Sequence, residues 1–108
     1  MKSNNIFTLK LGVTMNKELV EVPRATLPFH KYEKDGITYY EFNATQCQPP
    51  EPMVNTMVSM SLLKSPNDRV VGIYFHEPFP LYERLPAAIK RESMELPSGD
   101  VRVEFRIG

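Results

Sequence analysis

The chain has 108 residues and equal numbers of basic and acidic side chains, 13 of each, a size that suits one compact domain and leaves no room for two. Zero formal charge and a pI of about 6.7 remove the basic footprint of a nucleic-acid binder, so nucleic acid is not an expected partner. The single cysteine, Cys47, excludes an intramolecular disulfide, a four-cysteine zinc site and a CxxC redox pair. No apolar run approaches the ~20 residues of a membrane-crossing helix, and Met1 to Asn5 do not read as a secretory signal. These features point to a cytoplasmic single-domain protein with no membrane partner and no cofactor.

Phe7, Leu9, Leu11 and Val13 alternate with Thr8, Lys10 and Gly12, the period of a half-buried strand. Val20 and Val22 suggest a second short strand that Pro23 stops. Residues 1–27 therefore read as an N-terminal extension with one or two strands, which either covers a sheet edge or pairs with a second chain as a homodimer. Residues 28–108 read as the main domain. Asp35-Gly36 is a two-residue hairpin signal, because a type I′ turn needs positive φ at both central positions. Phe29–Glu33 and Ile37–Ala44 form its flanks, the second rich in strand formers.

Gln46-Cys47-Gln48-Pro49-Pro50-Glu51-Pro52 then leads into Met53–Lys64. Prolines are tolerated in a helix's first turn, where their missing N–H groups have no intrahelical partner. Met53, Met57 and Met60 form one stripe, with Val54, Val58 and Leu62 alongside, which predicts a helix with a broad apolar face. Val70–Phe75 is nearly all apolar and reads as an interior strand covered on both faces. Leu81, Leu85, Ala88 and Ile89 recur at helical spacing. Pro86 conflicts with that helix, which is expected to become regular close to Leu85. A short strand near Met94–Leu96 and the turn Ser98-Gly99-Asp100 come next. Val101, Val103, Phe105 and Ile107 alternate with Arg102, Glu104 and Arg106, marking a strand with one wet face. The expected class is α/β (α+β): a two-layer sandwich with two helices on one face of a mixed four-stranded sheet, plus the N-terminal β extension.

Two segments carry a resemblance. Pro49-Pro50-Glu51-Pro52-Met53 lies between a strand and a helix, where the TusA/SirA-like sulfur-carrier superfamily places its Cys-Pro-x-Pro motif. His76-Glu77-Pro78-Phe79-Pro80-Leu81-Tyr82 resembles the His-acidic-Pro-x-Pro-Leu segment of a TusA-related branch without an assigned function. The closing Val101–Ile107 strand is similar to that branch's last strand, and the similarity runs roughly from Gly36 to Gly108. It implies a β-α-β-α-β-β core and, for the superfamily, sulfur carried as a persulfide on the motif cysteine. Here that position is Pro49, which cannot hold a persulfide, and Cys47 lies two residues upstream.

Cys47 has two readings: a thiolate activated near a helix N-terminus, or an ordinary thiol in a polar loop. Against activation, Pro49, Pro50 and Pro52 remove amide donors that would stabilise an anion there. His76, with Cys47 or a carboxylate such as Glu51 or Glu77, supplies suitable ligand types for zinc or iron. The plainer reading of His76 is a strand cap that shapes the Glu77-Pro78 turn. His30 reads as a strand-surface residue. The methionine stripe reads as core or adaptable interface, and Arg84, Lys90 and Arg91, balanced by Glu83 and Glu92, as a solvated face. The expected role is non-catalytic: a module binding a protein or small ligand through Pro49, Pro50, Glu51, Pro52 and Met53 together with His76, Glu77, Pro78, Phe79, Pro80 and Tyr82. A sulfur carrier using Cys47 is the alternative, and a metal-binding redox accessory using His76 a further one.

Overall fold

A computed structural model describes residues 16–108; the expected Phe7–Val13 strand lies outside them. The described chain forms a single mixed sheet from six strands: β1 (Glu18–Val20), β2 (Phe29–Lys34), β3 (Ile37–Asn43), β4 (Asp68–Tyr74), β5 (Ile89–Glu95) and β6 (Val101–Ile107). Their spatial order is β1-β2-β3-β4-β6-β5. Two short helices join them, α1 (Glu51–Ser59), extended by a 3-10 turn at Met60–Leu62, and α2 (Phe79–Tyr82). This corrects the expected four-stranded sheet with two full helices: the protein is mostly sheet.

The hairpin signal acts as the residue types require. Asp35 and Gly36 take φ of +54° and +80°, and Lys34 pairs with Ile37 across a two-residue loop. Tyr32 and Tyr39 stack across the strands at 5.0 Å. β1 adds antiparallel to β2, with Leu19 opposite His30, so this part of the extension covers a sheet edge of its own chain. Val22 follows the strand and is buried in the core.

β3 and β4 are parallel, Thr38 opposite Asp68 through Asn43 opposite Ile73, and α1 provides the crossover that parallel neighbours need. On the helix-covered side, Phe29, Phe42, Val70, Tyr74, Val101, Val103 and Phe105 make the core. Arg102 and Glu104 alternate onto the opposite face, where Glu104 joins Arg69 and Arg102 at 3.2 Å each. Phe75, expected inside the strand, lies just beyond it and is 62% exposed.

The second helix departs most from expectation. It is one turn, Phe79–Tyr82, and Ile89 opens a seven-residue strand paired along its length with β6. Pro86 gives the reason. Its ring and missing N–H forbid a helix continuing through it, and its carbonyl instead accepts from the Ile89 N–H at 3.0 Å, closing a turn. β5 is an outer strand of the sheet, so exposed Lys90, Arg91, Glu92 and Glu95 suit it, as charged side chains guard a sheet edge.

Candidate ligand cleft

The parallel β3–β4 pair places the two resemblance-bearing segments side by side. Both strands end at the same sheet edge, and the Ala44 N–H still reaches the Ile73 carbonyl at 2.8 Å. Past that point the chains diverge, one into the Cys47–Pro50 loop and α1, the other into the Phe75–Pro78 loop and α2. Such divergence beyond strand C-termini is where open α/β sheets leave a crevice. Here the crevice is a cleft of about 420 Å³.

Its floor is Ala44, Tyr74 and Leu81, all buried. Cys47, Gln48, Pro49, Pro50, Pro52 and Met53 form one wall, and Phe75, His76, Glu77, Pro78 and Pro80 the other. Of the residues singled out from sequence, the structure therefore gathers Cys47, Pro49, Pro50, Pro52, Met53, His76, Glu77, Pro78 and Pro80. Glu51, Phe79 and Tyr82 stand outside the lining. Glu51 accepts from the Thr26 hydroxyl at 2.6 Å. Phe79 is 65% exposed and meets the Tyr82 ring edge-on at 6.0 Å. Tyr82 donates its hydroxyl to Glu77 Oε2 at 2.7 Å, and the Arg91 guanidinium lies 3.7 Å from the centre of its ring. These residues brace the wall: strand β5 holds Tyr82, and Tyr82 holds Glu77.

The wall carrying α1 is fixed from behind. Asn55 is completely buried, with Oδ1 accepting from the Thr26 and Leu27 N–H groups at 2.8 and 3.0 Å. Its Nδ2 donates to Thr26 Oγ1 and to the Glu51 carbonyl. Thr56 Oγ1 lies 2.6 Å from the Tyr74 hydroxyl and donates to the Pro52 carbonyl. Asn55, Thr56 and Ser59 thus form the most buried face of α1, while the expected methionine stripe is only partly buried on its flanks. The apolar periodicity concealed this, because a buried polar face shows only once its hydrogen-bond partners are known.

The surroundings of the thiol work against activation. Burial pushes the Cys47 pKa up, and the nearby Glu51 carboxylate raises it further. The helix start offers little to offset this: Pro52 has no N–H, and the Glu51 N–H donates to the Gln48 carbonyl at 3.0 Å. Cys47 and His76 share the cleft, yet among the described residues no three His, Cys, Asp or Glu side chains gather as a metal site would require. His76 is exposed, its ring 4.4 Å from that of Phe75.

Sequence reasoning missed Ala44, Gln48, Tyr74, Phe75 and Leu81 as cleft residues. Tyr74 and Phe75 directly precede the His76 segment, so the end of an apolar strand before a proline loop was the available signal. Ala44 and Leu81 enter through packing, which no local pattern reports.

No family model matches the chain, and no curated protein matches it. Among solved structures it is similar to the crystal structure of humanized D. rerio TDP2 bearing 14 mutations, at 16% identity and a TM-score of 0.43. That alignment covers 84% of this chain and 47% of the other, so the chain spans about half the length of that structure. A likeness of this size carries no argument about fold or function. Among the described residues no helix is long and apolar enough to cross a membrane.

Proposed function

We propose that the protein is a small cytoplasmic binding module, without catalysis of its own, that holds a ligand in the cleft between the Cys47–Met53 and Phe75–Pro80 walls. The observation that carries this reading is the convergence of two proline-rich segments, distant in sequence, on one concave surface of about 420 Å³. Small-molecule sites are typically concave, mostly apolar and roughly 300–1,000 Å³ in size. Prolines, Met53 and aromatic side chains supply such a surface at low entropic cost, because proline walls lose little freedom on binding. The resemblance to the TusA-related branch fits this reading as that of a relative without sulfur chemistry: Pro49 stands at the carrier position, and the surroundings of Cys47 disfavour its thiolate.

The test is a fragment titration followed by backbone amide NMR. Shifts confined to Ala44–Val54 and Phe75–Leu81 are the expected result. A library of cleft-sized fragments that leaves those amides unmoved at millimolar concentration rejects the reading. The sulfur-carrier alternative is tested separately. The folded protein is exposed to a cysteine desulfurase with free cysteine and weighed intact. The expected mass is unchanged, and one added sulfur atom that is absent from Cys47→Ser would restore the carrier.

A further inference from the structure

We infer that the cleft selects an uncharged, apolar, ring-sized molecule and rejects the anionic analogue of the same molecule; this rests on the ligand-binding reading above and specifies its ligand class. The argument is one of charge. None of the described residues lining the cleft is Lys or Arg. The N-terminus of α1, which borders it, is ordinarily where a helix welcomes an anion through its free amides. Here the first turn has lost most of that capacity. Pro52 has no N–H and the Glu51 amide is engaged by Gln48, so of the three first-turn residues only Met53 has an amide left to offer. On the opposite wall stands the Glu77 carboxylate, and Glu51 lies behind Cys47. An anion entering the cleft gives up its water, gains one donor from the first turn of the helix and meets the Glu77 and Glu51 carboxylates, with no lysine or arginine in the lining and only the exposed His76 imidazole to set against them.

A cation is no better served. Both carboxylates already accept a short hydrogen bond from a neutral hydroxyl, Glu51 from Thr26 at 2.6 Å and Glu77 from Tyr82 at 2.7 Å. Each keeps its second oxygen as an acceptor, but only Glu77 stands in the lining, so a cation finds one partner at the wall and none over the apolar floor. The remaining lining (Ala44, Met53, Tyr74, Phe75, Leu81 and the prolines) offers contact area and ring faces but little charge. The occupant that loses least on entry is an uncharged ring system.

The experiment uses a matched pair of fluorescent probes that share one ring system, N-phenyl-1-naphthylamine (uncharged) and 8-anilinonaphthalene-1-sulfonate (anionic), titrated against the folded protein at pH 7. The uncharged probe is expected to bind with enhanced emission, and the sulfonate at least tenfold more weakly. Gln48→Arg, an exposed wall position, places a cation at the cleft. It should raise the affinity for the sulfonate several-fold relative to that for the uncharged probe. Phe75→Ser, at the exposed rim, should weaken the uncharged probe several-fold. If neither probe binds, the ligand-binding reading itself fails. Equal binding of the two probes, or tighter binding of the sulfonate, overturns the charge inference and leaves the cleft reading standing. Uncharged-probe binding indifferent to Phe75→Ser places the dye elsewhere and overturns the inference as well.

Discussion

At the scale of single residues, the chemistry of the cleft turns on Cys47 and Glu51. A thiol reacts through its thiolate, so raising the pKa lowers the reactive fraction at neutral pH. Burial and the Glu51 carboxylate both act in that direction. Alkylation of Cys47 by iodoacetamide at pH 7.5 is expected to be slower than that of the same thiol in the urea-unfolded chain. Glu51→Gln should shift the pH–rate profile toward lower pH by removing the negative charge, with the burial contribution retained. A profile identical in both proteins would show that Glu51 does not act on the thiol. The sequence placed Cys47 close to a helix start and the prolines within it. It showed that the prolines strip donors from the helix pole, but not that Gln48 engages the Glu51 amide, which is a matter of local geometry.

At the scale of elements, α1 and the strand beneath it show what pattern reading reaches and where it stops. The helix was legible from its proline start and its apolar spacing, but the face turned to the sheet is Asn55, Thr56 and Ser59. Small polar side chains make the helix face turned to the sheet, and Gly72 leaves room for the Tyr74 ring that lies between them. A Cβ on Gly72 would fall 2.6–2.7 Å from ring carbons of Tyr74, the side chain that meets Thr56. Gly72→Ala is therefore expected to destabilise the protein by about 2–3 kcal/mol, as overpacking does, measured by urea denaturation. Combining it with Tyr74→Leu should cost less than the two single changes added, because the clash partner is gone. Asn55→Ala removes four hydrogen bonds and strands the Thr26 and Leu27 amides without an acceptor. Thr26 is exposed and Leu27 half-buried, so water recovers part of the roughly 1–3 kcal/mol a buried orphan costs, and a loss of about 2 kcal/mol is expected. Weakened amide-exchange protection at Thr26 and Leu27 would accompany it. Of β5 only the end was legible, as a short strand near Met94–Leu96, and its start was missed for a different reason. An edge strand needs no apolar alternation, and Leu81, Leu85, Ala88 and Ile89 imitate a helical stripe while belonging to a turn, a bend and a strand.

At the scale of the whole molecule, the Asp35-Gly36 turn foretold the β2–β3 pairing and the alternation of β6 its strand, while the parallel β3–β4 pair carries the cleft. The same architecture ties stability to alkaline pH. Tyr32 lies against the open sheet face, Tyr74 beneath α1 and Tyr82 on the cleft's bracing, and burial is the leading cause that raises all three phenols. Tyr32 is pushed up to about 12, with the Glu41 charge and hydrogen bond adding to burial. Tyr74 and Tyr82 are raised further, Tyr82 with help from the Glu77 carboxylate and against the pull of Arg91. Unfolded phenols release their protons near pH 10, while the folded ones hold them. Above that pH the unfolded chain binds fewer protons than the folded one, and the free energy of unfolding falls as pH rises. In a Cys47→Ser background, which removes the thiol's own titration, urea midpoints should hold steady from pH 7 to 9 and drop progressively from 10 to 12. Tyr74→Phe abolishes one of the three titrations together with the Thr56 contact. It should start from a lower midpoint at pH 8 and lose less on the way to pH 12. Parallel curves for the two proteins would mean that Tyr74 contributes nothing to the alkaline transition, and that the helix–sheet contact persists with its phenol ionised.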